Sequence, residues 1–201
     1  VTGTEYPEAR FYIKSEIWDN LSKNFHEGYI IAWRSLTSAT NRRTMLATLL
    51  PLIPTCQSIQ ILQLDNIDDM LQILVLFNSI IFDYIVRLKM AGLDLTQTII
   101  KQIPVPKKEI YESVIVFQDK EDTIRNHVYA RIKYLYAKDK RVSALFENND
   151  ICDSTKKSRK QIISELDCLV GAMYGLSTEQ IKEIASTFDK YYTKKEVEQW
   201  F

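Results

Sequence analysis

MLQILVLFNSIIFDYIVRLKM, residues Met70–Met90, is apolar nearly all the way round a helical circumference. A helix of that composition belongs in the centre of a fold, covered on several sides. Asn78 and Ser79 interrupt the apolar pattern, and burial obliges them to bond to backbone. Asp83 precedes Arg87 by four residues, the acid-first spacing of a helical ion pair. Asp65 or Asn66 can cap the start, Asp68 and Asp69 suit the first turn, and Gly92 suits the C-terminal cap. The pattern predicts one helix from about Ile67 to Met90. Its most apolar part, Leu71–Val86, is too short to span a bilayer and carries Asn78 and Asp83, so no membrane is expected as a partner.

Upstream the periodicity changes. YIIAWRSL (Tyr29–Leu36) is β-branched and aromatic and predicts a strand. TSATN (Thr37–Asn41) predicts a polar turn, and Thr44–Leu50 a second strand ended by Pro51. Pro51 and Pro54 bracket a loop. QSIQILQL (Gln57–Leu64) alternates polar and apolar, as a half-buried strand does. FYIKSEIWDNL (Phe11–Leu21) reads as a strand running into a short helix.

Downstream, a short helix over Leu95–Ile103 stops at Pro104, and Pro104–Pro106 must be extended. The chain beyond is charged and helical. Ile124, Val128, Ile132 and Leu135 make one apolar face; Ile162, Ile163, Leu166, Leu169, Val170 and Met173 make another. Gly175 ends the second of these helices. Ser177 with Gln180, and Thr193 with Glu196, form capping boxes for two more. The polar connector Asn148–Lys160 carries Lys156, Lys157, Arg159 and Lys160, a basic cluster read as a solvated link.

The composition bounds the function. The 201 residues can bury a substantial core, and 46% are hydrophobic. Three cysteines (Cys56, Cys152, Cys168) are too few and too scattered for a disulfide framework or a zinc site, which points to reduced thiols in a cytoplasm. His26 and His127 are far apart and read as structural or solvated. There is no glycine-rich phosphate loop, and Glu109, Glu112, Asp119, Glu121 and Asp122 read as a solvated face and a helix start rather than a nuclease centre. The chain is expected to be catalytically inert. Beginning at Val1, it reads as an excised piece of a longer protein.

Net charge is zero, yet the charge is unevenly spread: from Gly28 to Leu64 the only charged residues are Arg34, Arg42 and Arg43. Arginine can bridge two acceptors on guanine, and asparagine two on adenine. Serine and threonine hydroxyls suit phosphate oxygens. Arg34, Ser35, Thr37, Ser38, Thr40, Asn41, Arg42 and Arg43 are therefore candidate DNA contacts on a strand–turn–strand. The bland alternative is an ordinary hairpin with a polar tip.

Five blocks in order resemble the target recognition region that follows the catalytic domain of type II (IIG-like) restriction-modification N6-adenine DNA methyltransferases. FYIKSEIWDNL resembles the family's opening segment, with Tyr12–Glu16 departing from it. In AWRSLTSATNRRT, Thr40, Asn41, Arg43 and Thr44 match the family stretch, while Arg42 stands where glutamate is usual. LFNSIIFDYIVRLKMAG and LTQTIIKQIPVP are similar to the following helix and its closing segment. ELDCLVGAMYGLSTEQIKEIASTF resembles the terminal helical signature at Asp167, Tyr174, Gly175 and Leu176.

The resemblance implies an α/β target recognition domain over residues 1–106 and a helical segment over 107–201. The expected fold is α+β: a small mixed sheet packed on a long buried helix, followed by a C-terminal helical segment. The implied partners are double-stranded DNA and the methyltransferase domain of the same parent chain. S-adenosylmethionine is expected in that missing domain, and no cofactor in this chain. The adenine-binding Asn-Pro-Pro-Tyr motif does not occur here. A helical docking module that joins subunits without reading bases is the rival reading.

Overall fold

A computed structural model describes residues 12–136, 138–146 and 157–201. Cys152 and most of the Asn148–Lys160 connector lie outside them. The architecture is α+β. Strand β1 (Tyr29–Arg34) is the centre of a three-stranded sheet, flanked by β2 (Ala47–Pro51) and β3 (Ile59–Leu62). Both pairings are antiparallel, with Ile31 opposite Leu49 on one side and Leu62 on the other, where a mixed sheet was expected. Ile30 to Trp33 are all buried, because both faces of the central strand are covered. β2 starts later than expected and retains Pro51. As an edge strand it can accept a residue with no N–H to donate.

The long helix is two helices. α2 (Ile67–Asn78) and α3 (Ile80–Lys89) meet at Ser79 with a bend of 65°. The break has a local cause. Ser79 is extended, and its hydroxyl oxygen caps α3 by accepting from the Phe82 N–H. Asn78 fills the kink: its Oδ1 accepts from Ala47 N–H, and its Nδ2 donates to the Ala47 and Leu74 carbonyls. The freed Ile80 N–H donates to Asp167. The Asn78 amide, the Ser79 hydroxyl and the Ile80 N–H at the break thus all have partners, which lets apolar surroundings tolerate it. Asn66 caps α2, while Met90 rather than Gly92 ends α3. No single helix among the described residues is long and apolar enough to cross a membrane.

An amphipathic helix α1 (Ser15–Ser22) precedes the sheet, and residues 12–14 before it form no strand. The helix expected over Leu95–Ile103 is one turn, α4 (Gln97–Ile100). Beyond Pro106 the chain is not purely helical. A turn of helix, α5 (Lys108–Tyr111), leads into the hairpin β4 (Val114–Phe117) and β5 (Lys120–Thr123), which places Glu121 and Asp122 in a strand. α6 (Ile124–Tyr136), α7 (Arg159–Met173), α8 (Thr178–Ser186) and α9 (Lys194–Trp200) complete the chain. Both expected capping boxes form, and Ser158 with Gln161 adds a third. Gly175 takes φ of 71°, the left-handed turn that stops α7. One continuous core joins Ile31, Trp33 and Leu49 of the sheet to Leu74 and Phe77 of α2, Ile132 of α6 and Leu169 of α7, across the 106/107 boundary.

Candidate nucleic-acid interface

The loop of residues 35–46 joins β1 to β2, and the tertiary structure sorts its side chains. Its ends are tied down. Ser35 N–H donates to Ser58 O, Leu95 N–H to Ser35 O, and Thr37 N–H to Leu93 O. Thr37 Oγ1 donates to Thr44 O, and Thr44 Oγ1 to Ser38 O. Thr37, Arg43 and Thr44 are buried, Ser35 and Ser38 half-buried, and Arg34, Thr40, Asn41 and Arg42 exposed. Ser38 and Thr40 bond to each other through their hydroxyls. Cations from elsewhere hold the loop's carbonyls: Lys190 Nζ donates to Thr40 O, and Arg87 Nη2 to Asn41 O and Arg42 O. The loop is a set shape rather than a flexible tip.

Beneath it lies a buried ionic cluster. Arg43 Nε donates to Asp83 Oδ2 at 2.7 Å, and its Nη2 to Asn78 O. Asp83 also accepts from Thr44 N–H and from Arg87 Nε at 3.3 Å, which realises the expected helical pair. Burial disfavours the Arg43 cation, but Asp83 and Asp167 outweigh that and raise its pKa above the usual arginine value. Asp167 accepts from Ile80 N–H at the start of α3 and from the Tyr192 hydroxyl at 2.7 Å. Its burial pushes its pKa up to about 6, even though Arg43, Tyr192 and the Ile80 N–H favour the anion. Arg43 is therefore part of the scaffold, with its donors committed to Asp83 and Asn78. Thr37 likewise closes the loop.

Three of the exposed residues, Arg34, Asn41 and Arg42, share a hollow of about 600 Å³ with partners from far along the chain, while Ser35, Ser38 and Thr40 do not line it. Arg34, Asn41 and Arg42 enter it from the loop side, Arg159 and Lys160 from the start of α7, and Tyr191 from the α8–α9 connection. No carboxylate lines it among the described residues. Arg42 lies over the Tyr191 ring at 5.1 Å and Arg43 over the same ring at 5.2 Å. Lys160 is paired with Glu196 at 2.6 Å, which offsets part of its charge. Arg159 donates to Leu135 O. A smaller apolar cavity of about 230 Å³ continues inward, sharing Arg43, Leu46, Arg159, Ile163 and Tyr191 with the hollow.

Two of these contributors come from the basic cluster that the sequence places in a connector near a helix start. Arg159 and Lys160 open α7 itself, Arg159 is exposed as a solvated cation would be, and Lys157 pairs with Glu165. The run of four cations at 156–160 was the available signal. Tyr191 carried none, since aromatic residues at helical spacing read as core. His127 is buried against Phe117, and burial lowers its pKa. Cys56 and Cys168 are free thiols. Comparison with known protein families, curated proteins and solved structures found no match.

Proposed function

We propose that this chain is the DNA sequence recognition segment of a restriction-modification enzyme that methylates adenine at N6. The observation that carries the reading is the hollow, where Arg34, Arg42 and Arg159 converge with Tyr191 and no carboxylate among the described residues opposes them. Such a surface suits a duplex, whose phosphates attract arginine and whose guanines accept two hydrogen bonds from one guanidinium. Arg34, Ser35, Ser38, Thr40, Asn41 and Arg42 remain the contact set from the loop, and Arg159 joins them. Double-stranded DNA is clamped between this chain and the methyltransferase domain of the parent enzyme. That domain holds S-adenosylmethionine, for which this sequence has no glycine-rich loop. The neutral net charge fits a division of labour in which the partner domain supplies much of the phosphate attraction.

The test is to replace Arg34, Arg42 and Arg159 singly with Ala in the intact enzyme and measure binding across a panel of duplexes and salt concentrations. A phosphate contact weakens all sequences equally and lowers the salt slope by about one. A base contact costs about 1–3 kcal/mol of discrimination at one base pair. If all three variants keep wild-type affinity, specificity and salt slope, the reading fails.

One observation favours the docking module instead. Ile13, Ile17 and Leu21 are exposed at four-residue spacing along α1 and the extended residues before it. That stripe suits a partner helix. Under the docking reading, Ile17→Glu with Leu21→Glu weakens subunit association and leaves DNA specificity untouched.

A further inference from the structure

We propose that the cavity beneath the cationic hollow binds a compact amphipathic anion, an aryl phosphate, whose ring fills the cavity and whose head meets Arg34, Arg42 and Arg159. The cavity encloses about 230 Å³ where β2, α2, α6 and α7 meet. It adjoins the hollow, and Leu46, Arg159, Ile163 and Tyr191 line both. Protein interiors are close-packed, and a void of this size forfeits contacts along its whole lining. An apolar cavity of about 150 Å³ is enough to hold benzene. This one therefore has room for a single ring.

The lining selects the body of the ligand. Leu74, Val75, Ile132 and Leu166 form apolar walls. The polar groups among them are already served. The Asn78 amide bonds to Ala47 and Leu74, the Ser79 hydroxyl donates to Leu76 O, and the Asp167 oxygens accept from the Ile80 N–H and the Tyr192 hydroxyl. No lining side chain holds a buried polar atom without a partner. A buried water needs two to four polar partners, so the cavity suits an apolar ring better than water. The mouth selects the head. Arg43 is neutralised by Asp83, and Lys160 by Glu196. Arg34, Arg42 and Arg159 have no carboxylate facing them in the hollow among the described residues. Three unopposed guanidinium groups favour a phosphate dianion over a carboxylate. Asp167, the one carboxylate of the cavity wall among the described residues, keeps the anionic head at the mouth.

The test titrates the whole chain with phenyl phosphate, benzoate and inorganic phosphate by calorimetry at pH 7 and equal ionic strength. No DNA is present, so the outcome is independent of the DNA reading. Phenyl phosphate should bind roughly 10–100-fold more tightly than inorganic phosphate, the gain from burying one ring. It should also bind more tightly than benzoate. Methyl NMR should show shifts at Leu74, Val75 and Leu166, which line the cavity and not the hollow. Leu46 is exposed, so Leu46→Trp narrows the shared neck without disturbing the core. It should weaken phenyl phosphate by about tenfold and leave inorganic phosphate unchanged. Arg159→Ala should weaken both. Equal affinity for phenyl phosphate and inorganic phosphate would overturn the proposal. So would methyl shifts confined to Leu46 and Ile163 at the neck, or wild-type binding by Leu46→Trp. Tighter binding of benzoate than of phenyl phosphate would overturn the assigned head group.

Discussion

Arg42 and Arg43 are adjacent and identical in chemistry, and both reach the Tyr191 ring, yet the fold exposes one and buries the other. Arg42 is exposed against Tyr191 in the hollow, and Arg43 is buried on Asp83. Removing the buried partner leaves Asp83 short of its counter-charge. Arg43→Met should therefore cost about 3–5 kcal/mol, whereas Arg42→Ala should leave the urea midpoint almost unmoved. A loss below about 1 kcal/mol at Arg43 would mean that the pair does not organise the loop. Asp167 carries a second prediction at this scale. Its folded pKa of about 6 lies above the ordinary 3.8. Between those values the unfolded chain has released the proton while the folded chain keeps it. Its contribution to stability is thus fully present below about pH 4 and lost as pH rises through about 6. Asp167→Asn stays neutral throughout, so its stability relative to wild type should improve between pH 4 and pH 7, by on the order of 2–3 kcal/mol. Urea titrations of both proteins across that range measure it. A pH-independent difference would show that Asp167 stays ionised.

At the scale of elements, the break at Ser79 decides how the layers meet. A straight helix over 67–90 would carry α3 away from α7; the bend aims its first N–H, that of Ile80, at Asp167. Ser79→Ala removes the cap and should cost about 1 kcal/mol. Phe77 lies just before the bend, 3% exposed and packed against Trp33 and Phe82. Phe77→Ala should cost about 3–5 kcal/mol, and a change under about half a kcal/mol would place α2 at the surface. The break had no sequence signal of its own kind. Asn78 and Ser79 were legible as polar groups needing partners, but the i−4 carbonyls of a straight helix would have served them equally well. The β4–β5 hairpin was missed for a related reason. Its strands are short and half-exposed, and β5, Lys120–Thr123, holds three charged residues in four.

At the scale of the molecule, the sheet, α2 and the C-terminal helices form one core. Residues 1–106 alone would expose the α2 and α3 faces that α6 and α7 cover, and would strand the Ile80 N–H that Asp167 accepts. That fragment should fail to fold, giving poorly dispersed amide signals and no cooperative transition. A cooperative transition from 1–106 would make the boundary at Pro106 a true domain edge. The whole chain should unfold in a single step by fluorescence and circular dichroism alike.

The sequence by itself determined what short-range physics controls. β-Branched and aromatic composition placed β1, alternation placed β3, Pro51 marked the end of the strand between them, apolar circumference placed the α2–α3 stretch at the centre, and Ser–Gln and Thr–Glu spacings placed the starts of α8 and α9. The acid-free stretch around Arg34, Asn41 and Arg42 marked one side of the hollow. The tertiary structure decided what depends on partners distant in the chain. Asp167 meets Ile80 from 87 residues away, Lys190 reaches Thr40 from 150, and Arg43 finds Asp83 from 40. Those contacts bend the helix, take Arg43 out of the exposed set and bring Arg159 and Tyr191 into it. A residue's own neighbours set its secondary structure, because those interactions span a turn or a strand pair. Whether its charge faces solvent or a buried carboxylate depends on which remote segment packs over it, and no local pattern records that.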